Sequence, residues 1–304
     1  MTPEQLVAAE QTQRPRAIVA AAASAVVGVG SMVGVTLAYK GYPRVSQLEV
    51  LQAAIGKDLG RVGLRSEQLN FVADRAPQLM LATAAQAIAS LLFVYLLVFL
   101  YRASVNRGIN VPRFTPALAM SGGISAALGT LGLQAAIQVN AANAVDRQDW
   151  TVIPATGPVA NLSFVLLLLS TMTIAIATVL VSLSAMRTGL LTKFLGGLGI
   201  AVGVIMVFFN PAVSGSAGNG FVIQSIWVLL VALSLTGRLP SGLPPAWDAG
   251  EARPWPSQQE ARAQREAGKG GAKSSSVPAQ SAAPATSQPS PATSKKKRKK
   301  RSRS

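Results

Sequence analysis

Residues 17–39 hold no acidic or basic side chain, and the same is true of residues 79–101, 116–139 and 161–185. A helix rises about 1.5 Å per residue, so a hydrocarbon core of ~30 Å is crossed by roughly 20 residues, and each of these runs is long enough. A water-soluble helix of the same length would need a charged face along its length, and none of the four runs holds a charged residue. Two further apolar stretches, residues 190–209 and 221–236, are shorter. They read as two full spans if Lys193 reaches back to the interface along its aliphatic stem, or else as a short hairpin that thins or only partly crosses the bilayer.

The expected fold class is therefore all-α, a polytopic transmembrane helical bundle of about six spans within residues 17–236, preceded by a cytoplasmic segment over residues 1–16. The third stretch carries Gln134, Gln138 and several glycines and would face lipid poorly, so it is expected to be an inner helix. Arg14 and Arg16 ahead of an apolar run resemble the start of a signal peptide. The run exceeds the usual hydrophobic region of about 7–15 residues, so the first span is expected to be retained.

Orientation follows the Lys and Arg content of short loops. Residues 102–115 hold three basic and no acidic side chains, and Arg187 and Lys193 lie in the loop after the fourth stretch. In a six-span arrangement both loops share a side with the two termini, which places the termini in the cytoplasm of a multi-pass cell-membrane protein. Residues 40–78 run against this, with six basic side chains among four acidic ones. Within that loop Val45, Leu48, Leu51, Ile55 and Leu59 recur at three- and four-residue spacing, the mark of a short helix that caps the bundle, lies on the membrane surface or gates a substrate.

The chain has neither cysteine nor histidine. Thiol nucleophiles, disulfides, Cys/His zinc sites and His general bases are excluded together, and with them a Ser-His pair at Ser216 in "SGSAGNG". No catalytic residue, metal or cofactor is expected. The apolar runs also lack the intramembrane acid or base by which ion-coupled transport usually shows itself, which disfavours pumps and proton-coupled carriers, while a passive pathway built from uncharged polar groups stays open. Thr130, Gln134 and Gln138, four residues apart, share one helical face, with Gln86 and Ser90 as a smaller version on the second run. Such groups serve either as interhelical hydrogen bonds or as the lining of a hydrophilic pathway. Gly30 with Gly34, and Gly199 with Gly203, form GxxxG pairs that allow close helix packing, within the chain or between copies. The motif "DRQDW" reads as a solvated loop around Asp146 and Asp149 with Trp150 as an interfacial anchor.

Beyond the last stretch the composition changes. Residues 237–256 are rich in proline and hold Trp247 and Trp255, expected at the headgroups with the segment folded back on the membrane, or else docked into the mouth of the bundle. Residues 257–304 read as a disordered, low-complexity linker ending in "KKKRKKRSRS". Residues 237–304 carry 14 basic and four acidic side chains, against 14 and eight in residues 1–236. Lys295, Lys296, Lys297, Arg298, Lys299, Lys300, Arg301 and Arg303 are thus a cluster available to a partner. A coil of the linker's length reaches about 35 Å, which keeps the cluster near its own membrane, where each cation contributes about 1 kcal/mol toward anionic lipid headgroups. Nucleic acid or a ribosome is the rival partner; with no aromatic side chain in the cluster, that binding would be blind to sequence.

The order of spans, "LLTKFLGGLGI" at the start of the fifth and the exit "GRLPSGLPPAWDAGEARPWPS" resemble an uncharacterised group of bacterial multi-spanning membrane proteins of unknown function. The likeness covers residues 17–257 and implies no activity and no catalytic residues. The expectation is a non-catalytic membrane scaffold or accessory protein whose basic tail binds anionic surfaces. The alternative is a passive channel or facilitator for a small neutral solute, lined by Thr130, Gln134 and Gln138.

Overall fold

A computed structural model describes residues 2–57, 60, 63–208, 219–239 and 242–255. Leu59, Ser216 and the basic cluster from Lys295 to Arg303 lie outside the described residues. Among those described there are helices and no strands. The helices are α1 (Pro3–Ala38), α2 (Gln47–Ala54), α3 (Ser66–Asp74), α4 (Ala76–Asn106), α5 (Thr115–Arg147), α6 (Pro158–Thr188), α7 (Lys193–Phe208), α8 (Asn219–Leu235) and α9 (Ala246–Ala249).

Four of them, α1, α4, α5 and α6, are long and apolar enough to cross a membrane. Each outruns its charge-free core. The first begins at Pro3 behind a capping box in which Thr2 and Gln5 satisfy each other's backbone N–H, so residues 3–16 extend the first span as helix. The shorter apolar helices α7 and α8 have 16 and 17 residues.

Successive long helices run antiparallel and pack in the order α1, α4, α5, α6, α7, α8, with α8 returning to α1 so that the six close into a ring. The α4 helix also touches α6 across the ring. That makes α4 the most enclosed span, with 56% of its most apolar window buried against 39% for α5. The expectation of α5 as the inner helix is corrected here, because its glycines serve another purpose. A Cβ on Gly122 would lie 2.5 Å from Ile174 and one on Gly129 2.9 Å from Leu167, so these positions let the α5 backbone rest directly on α6. The core follows from this geometry: Phe93, Leu96, Leu97 and Leu100 of α4 interleave with Ala17, Ala21 and Ala25 of α1 and with Val181 and Trp227.

At the end where α1 finishes, α3 forms a second small core, in which Leu69 and Val72 meet Ala141 and Ala144 of α5. Trp150 packs against this core and fills the space at Gly63, so it is a packing residue under α3 and not a free interfacial anchor. Arg75 joins α4 to the end of α1 by donating to the carbonyls of Ala38 and Lys40, at 2.5 and 2.8 Å, which lack helical partners of their own.

Candidate functional site

The opposite end of the bundle gathers charges that stand far apart in the chain. Glu10 lies on α1 and Arg107 caps the C-terminus of α4. The guanidinium meets the carboxylate as a two-pronged fork, Nη1 to Oε1 at 2.7 Å and Nη2 to Oε2 at 2.6 Å. Both residues are 7% exposed. The remaining guanidinium donors are also used. Nη1 donates to the Ala103 carbonyl at 2.9 Å, and Nε and Nη2 both donate to the Ala246 carbonyl, at 3.1 and 2.9 Å. Charge-assisted fork geometry of this kind is what allows an ion pair to be withdrawn from water.

Ala246 belongs to the four-residue helix α9, and the next residue, Trp247, is the centre of the assembly. Its ring stacks on Phe99 of α4 at 5.6 Å with 6° between the planes. Arg107 lies 5.2 Å and Arg14 5.8 Å from the ring centroid, and the indole N–H donates to the Leu190 carbonyl at 3.0 Å. Arg14 in turn donates through Nε to the Leu235 carbonyl at the end of α8, at 2.7 Å. Two positive-φ glycines admit the segment. Gly250 lies where a Cβ would come 2.5 Å from the Pro3 carbonyl oxygen, and Gly189 lies under the backbone of Arg253. The Arg253 N–H then donates to the Thr188 carbonyl at 2.9 Å.

Residues 246–255 therefore form a clip across the ends of α1, α4 and α6, and Arg14 links Trp247 to the end of α8. Of the two placements expected for this segment, Trp247 takes the docked one and is 3% exposed. Sequence reasoning counted Arg107 only toward loop charge and passed over Glu10. The i, i+4 spacing of Glu10 and Arg14, at the same expected end as the proline-bounded "AWDA", was the available signal.

The polar face of α5 behaves differently from a hydrogen-bonded seam. Thr130 donates back to the Ala126 carbonyl at 2.8 Å. Gln134 Nε2 and both amide atoms of Gln138 are buried with no protein hydrogen-bond partner. Gln134 follows Gly123 by three helical turns, and a Cβ on Gly123 would strike Val94, so this face turns toward α4. Separately, Ser24, Gln224 and Ser225 line a cavity of about 10 Å³ between α1, α4 and α8, with no residue of α5 in its wall.

The glycine pairs divide. Gly199 abuts Ser182 and Trp227, and a Cβ on Gly203 would lie 2.9 Å from the Ala175 carbonyl, so both set the approach of α7 to α6. Gly34 makes ordinary contact with Ala82, Gly30 has nothing within 4 Å, and the close approach of α1 is made instead at Gly28, opposite Ser225 and Ala89. Of "DRQDW", Asp146 and Arg147 belong to the last turn of α5 and not to a loop; beyond it the Asp149 carboxylate accepts from the Thr151 hydroxyl and N–H at 2.7 and 3.1 Å, and these bonds hold it below the usual carboxylate range.

No protein-family model, curated protein or solved structure matches the chain. The class is thus set by the helices alone, and function has to be argued from the clip, the polar face and the charge distribution.

Proposed function

We propose that the protein is a non-catalytic membrane scaffold or accessory protein with six spans and both termini on the cytoplasmic side of the cell membrane, whose basic cluster at residues 295–303 binds anionic surfaces. The observation that carries the reading is the clip. With Trp247 stacked on Phe99 and Arg253 bonded to Thr188, the chain leading to the cluster leaves from a fixed point at the end of the bundle. A cluster of eight cations tethered there meets the adjacent leaflet at high local concentration. The test compares the full chain with one lacking residues 295–304, both reconstituted in zwitterionic vesicles, for capture of separate anionic vesicles. Capture by the full chain alone supports the reading, and equal capture by both counts against it. Capture abolished by competing RNA moves the partner to nucleic acid.

A second reading, passive permeation of a small neutral solute, draws on Gln134 and Gln138. Buried amides without protein partners are uncommon and are ordinarily satisfied by water or a ligand. Glycerol flux into proteoliposomes that disappears when both glutamines become leucine would support it; flux that persists would remove it.

A further inference from the structure

The turn between α1 and α2 holds a cleft of about 620 Å³, lined by Leu37, Tyr39, Lys40, Tyr42 and Arg44 among others. Gly41, at φ +81°, makes the bend that wraps the chain around it. Two observations bear on what fills this cleft. Its floor is continuous with the outward face of α1, where Val26, Val29, Val33 and Leu37 are all exposed at three- or four-residue intervals. On a membrane-spanning helix that stripe faces acyl chains. Its rim carries Lys40 and Arg44, both exposed, and among the described residues no carboxylate pairs with either.

The second observation is α2 itself. Ser46 and Glu49 cap its start reciprocally, so the helix is locally specified. Leu48 and Leu51, with Ile55 at the C-cap, fall within one narrow stripe and are 64%, 63% and 79% exposed, while Val50 lies off that stripe. No residue of α2 with a described side chain is buried. Three large apolar side chains on one edge, presented next to a cationic cleft at the level where α1 leaves lipid, match an interfacial helix.

We propose that this elbow is a lipid-binding site: Lys40 and Arg44 hold the phosphodiester of an anionic phospholipid from the surrounding leaflet, and the Leu48, Leu51 and Ile55 edge of α2 lies in the headgroup and acyl boundary beside it. Tyr39 and Tyr42, edge to face at 5.5 Å, form the aromatic wall at headgroup level. The proposal does not rest on the basic cluster, which lies at the far end of the chain.

The absence of cysteine gives a direct test, since any introduced cysteine is unique. Nitroxides are attached to the full chain at Leu51→Cys, Ile55→Cys and, on the opposite edge, Ala53→Cys, and relaxation by oxygen and by a water-soluble nickel chelate is compared in vesicles of rising phosphatidylglycerol content. The labels at 51 and 55 are expected to become accessible to oxygen and protected from nickel, with the label at 53 showing the reverse. Lys40→Gln with Arg44→Gln should raise the phosphatidylglycerol fraction needed for half immersion at least threefold, while Lys40→Arg with Arg44→Lys leaves it nearly unchanged. Nickel-accessible labels at 51 and 55 in every lipid would overturn the proposal. So would immersion that ignores the glutamine pair and responds only to neutralising residues 295–303, or dipolar coupling between copies at position 51, which would assign the edge to a second chain. A failed vesicle-capture test leaves this result untouched, so the two readings fail separately.

Discussion

Arg107 and Glu10 stand 97 residues apart and meet at 2.6 Å, with the Arg107 side chain wholly withdrawn from solvent. Every guanidinium donor is engaged by the carboxylate or by the carbonyls of Ala103 and Ala246, so the cation is fully solvated by protein. The pair thus joins the first helix, the end of the second long helix and the segment after the last one. Its neighbours determine how its loss would be felt.

Removing one partner leaves the other buried and unpaired. Glu10→Ala is expected to destabilise the protein by about 3–5 kcal/mol, whereas Glu10→Leu combined with Arg107→Met should recover most of that loss. Thermal or denaturant unfolding of the purified protein in one detergent compares the two. A double variant no better than the single would mean that the pair acts through something other than charge burial.

Trp247 is the part of the clip that can be released without removing a charged side chain. Trp247→Ala should open residues 246–255 and speed cleavage after Glu251 by a glutamyl endopeptidase by tenfold or more, at a stability loss of about 3–5 kcal/mol. Trp247→Phe keeps the stack on Phe99 but orphans the Leu190 carbonyl, for a smaller loss of about 1–3 kcal/mol. Cleavage at the wild-type rate in the alanine variant would show that the segment is held without the indole.

How much of this was legible before the structure depends on the kind of interaction. The four charge-free runs announce membrane helices because lipid demands a property of every residue in them, and local periodicity marked α2 for the same reason of short range. Glu10 and Arg107 were opaque, since which charges pair is settled by helices that approach only in the folded chain. Trp247 was ambiguous between headgroup and bundle, because an indole suits either place and its partner carbonyl at Leu190 carries no sequence signature. At Gly30 the motif marks no close packing within the chain. GxxxG spacing says that two glycines share a face and not which face turns inward, and α1 turns Gly28 to its neighbours.

That difference can be measured. Gly203→Ala pushes a methyl against the Ala175 carbonyl and Val179, and it should destabilise by about 1–3 kcal/mol, as overpacking does. Gly30→Ala meets open space and should change unfolding by less than about 0.5 kcal/mol or raise stability slightly. Equal losses at the two positions would point to a contact between copies at Gly30.

Asp149 offers a test by pH. Its exposed carboxylate, held low by the Thr151 hydroxyl and N–H, favours the folded loop at pH values above the unfolded pKa, and that contribution fades as pH falls through the lower folded value. Carbon-13 NMR of the carboxyl should find it titrating below an ordinary aspartate, and Thr151→Val should move it back up. An unchanged midpoint in the valine variant would assign the shift to the backbone N–H or to Arg147.

The last prediction concerns Gln138, whose amide is buried with neither end bonded to protein. An unsatisfied buried amide is a standing liability, so Gln138→Leu, close in volume and without polar atoms, should raise stability by about 1–3 kcal/mol if the site is dry. If the amide instead holds water that continues along the face of Gln134 and Thr130, leucine breaks a hydrated row, and the gain should vanish while exchange of the neighbouring α5 amides with deuterated solvent slows. Unfolding and amide exchange on the same variant separate the two outcomes. A dry face makes the glutamines neighbours in a packed seam and removes the main support for permeation, whereas a wet one makes that reading worth testing by flux.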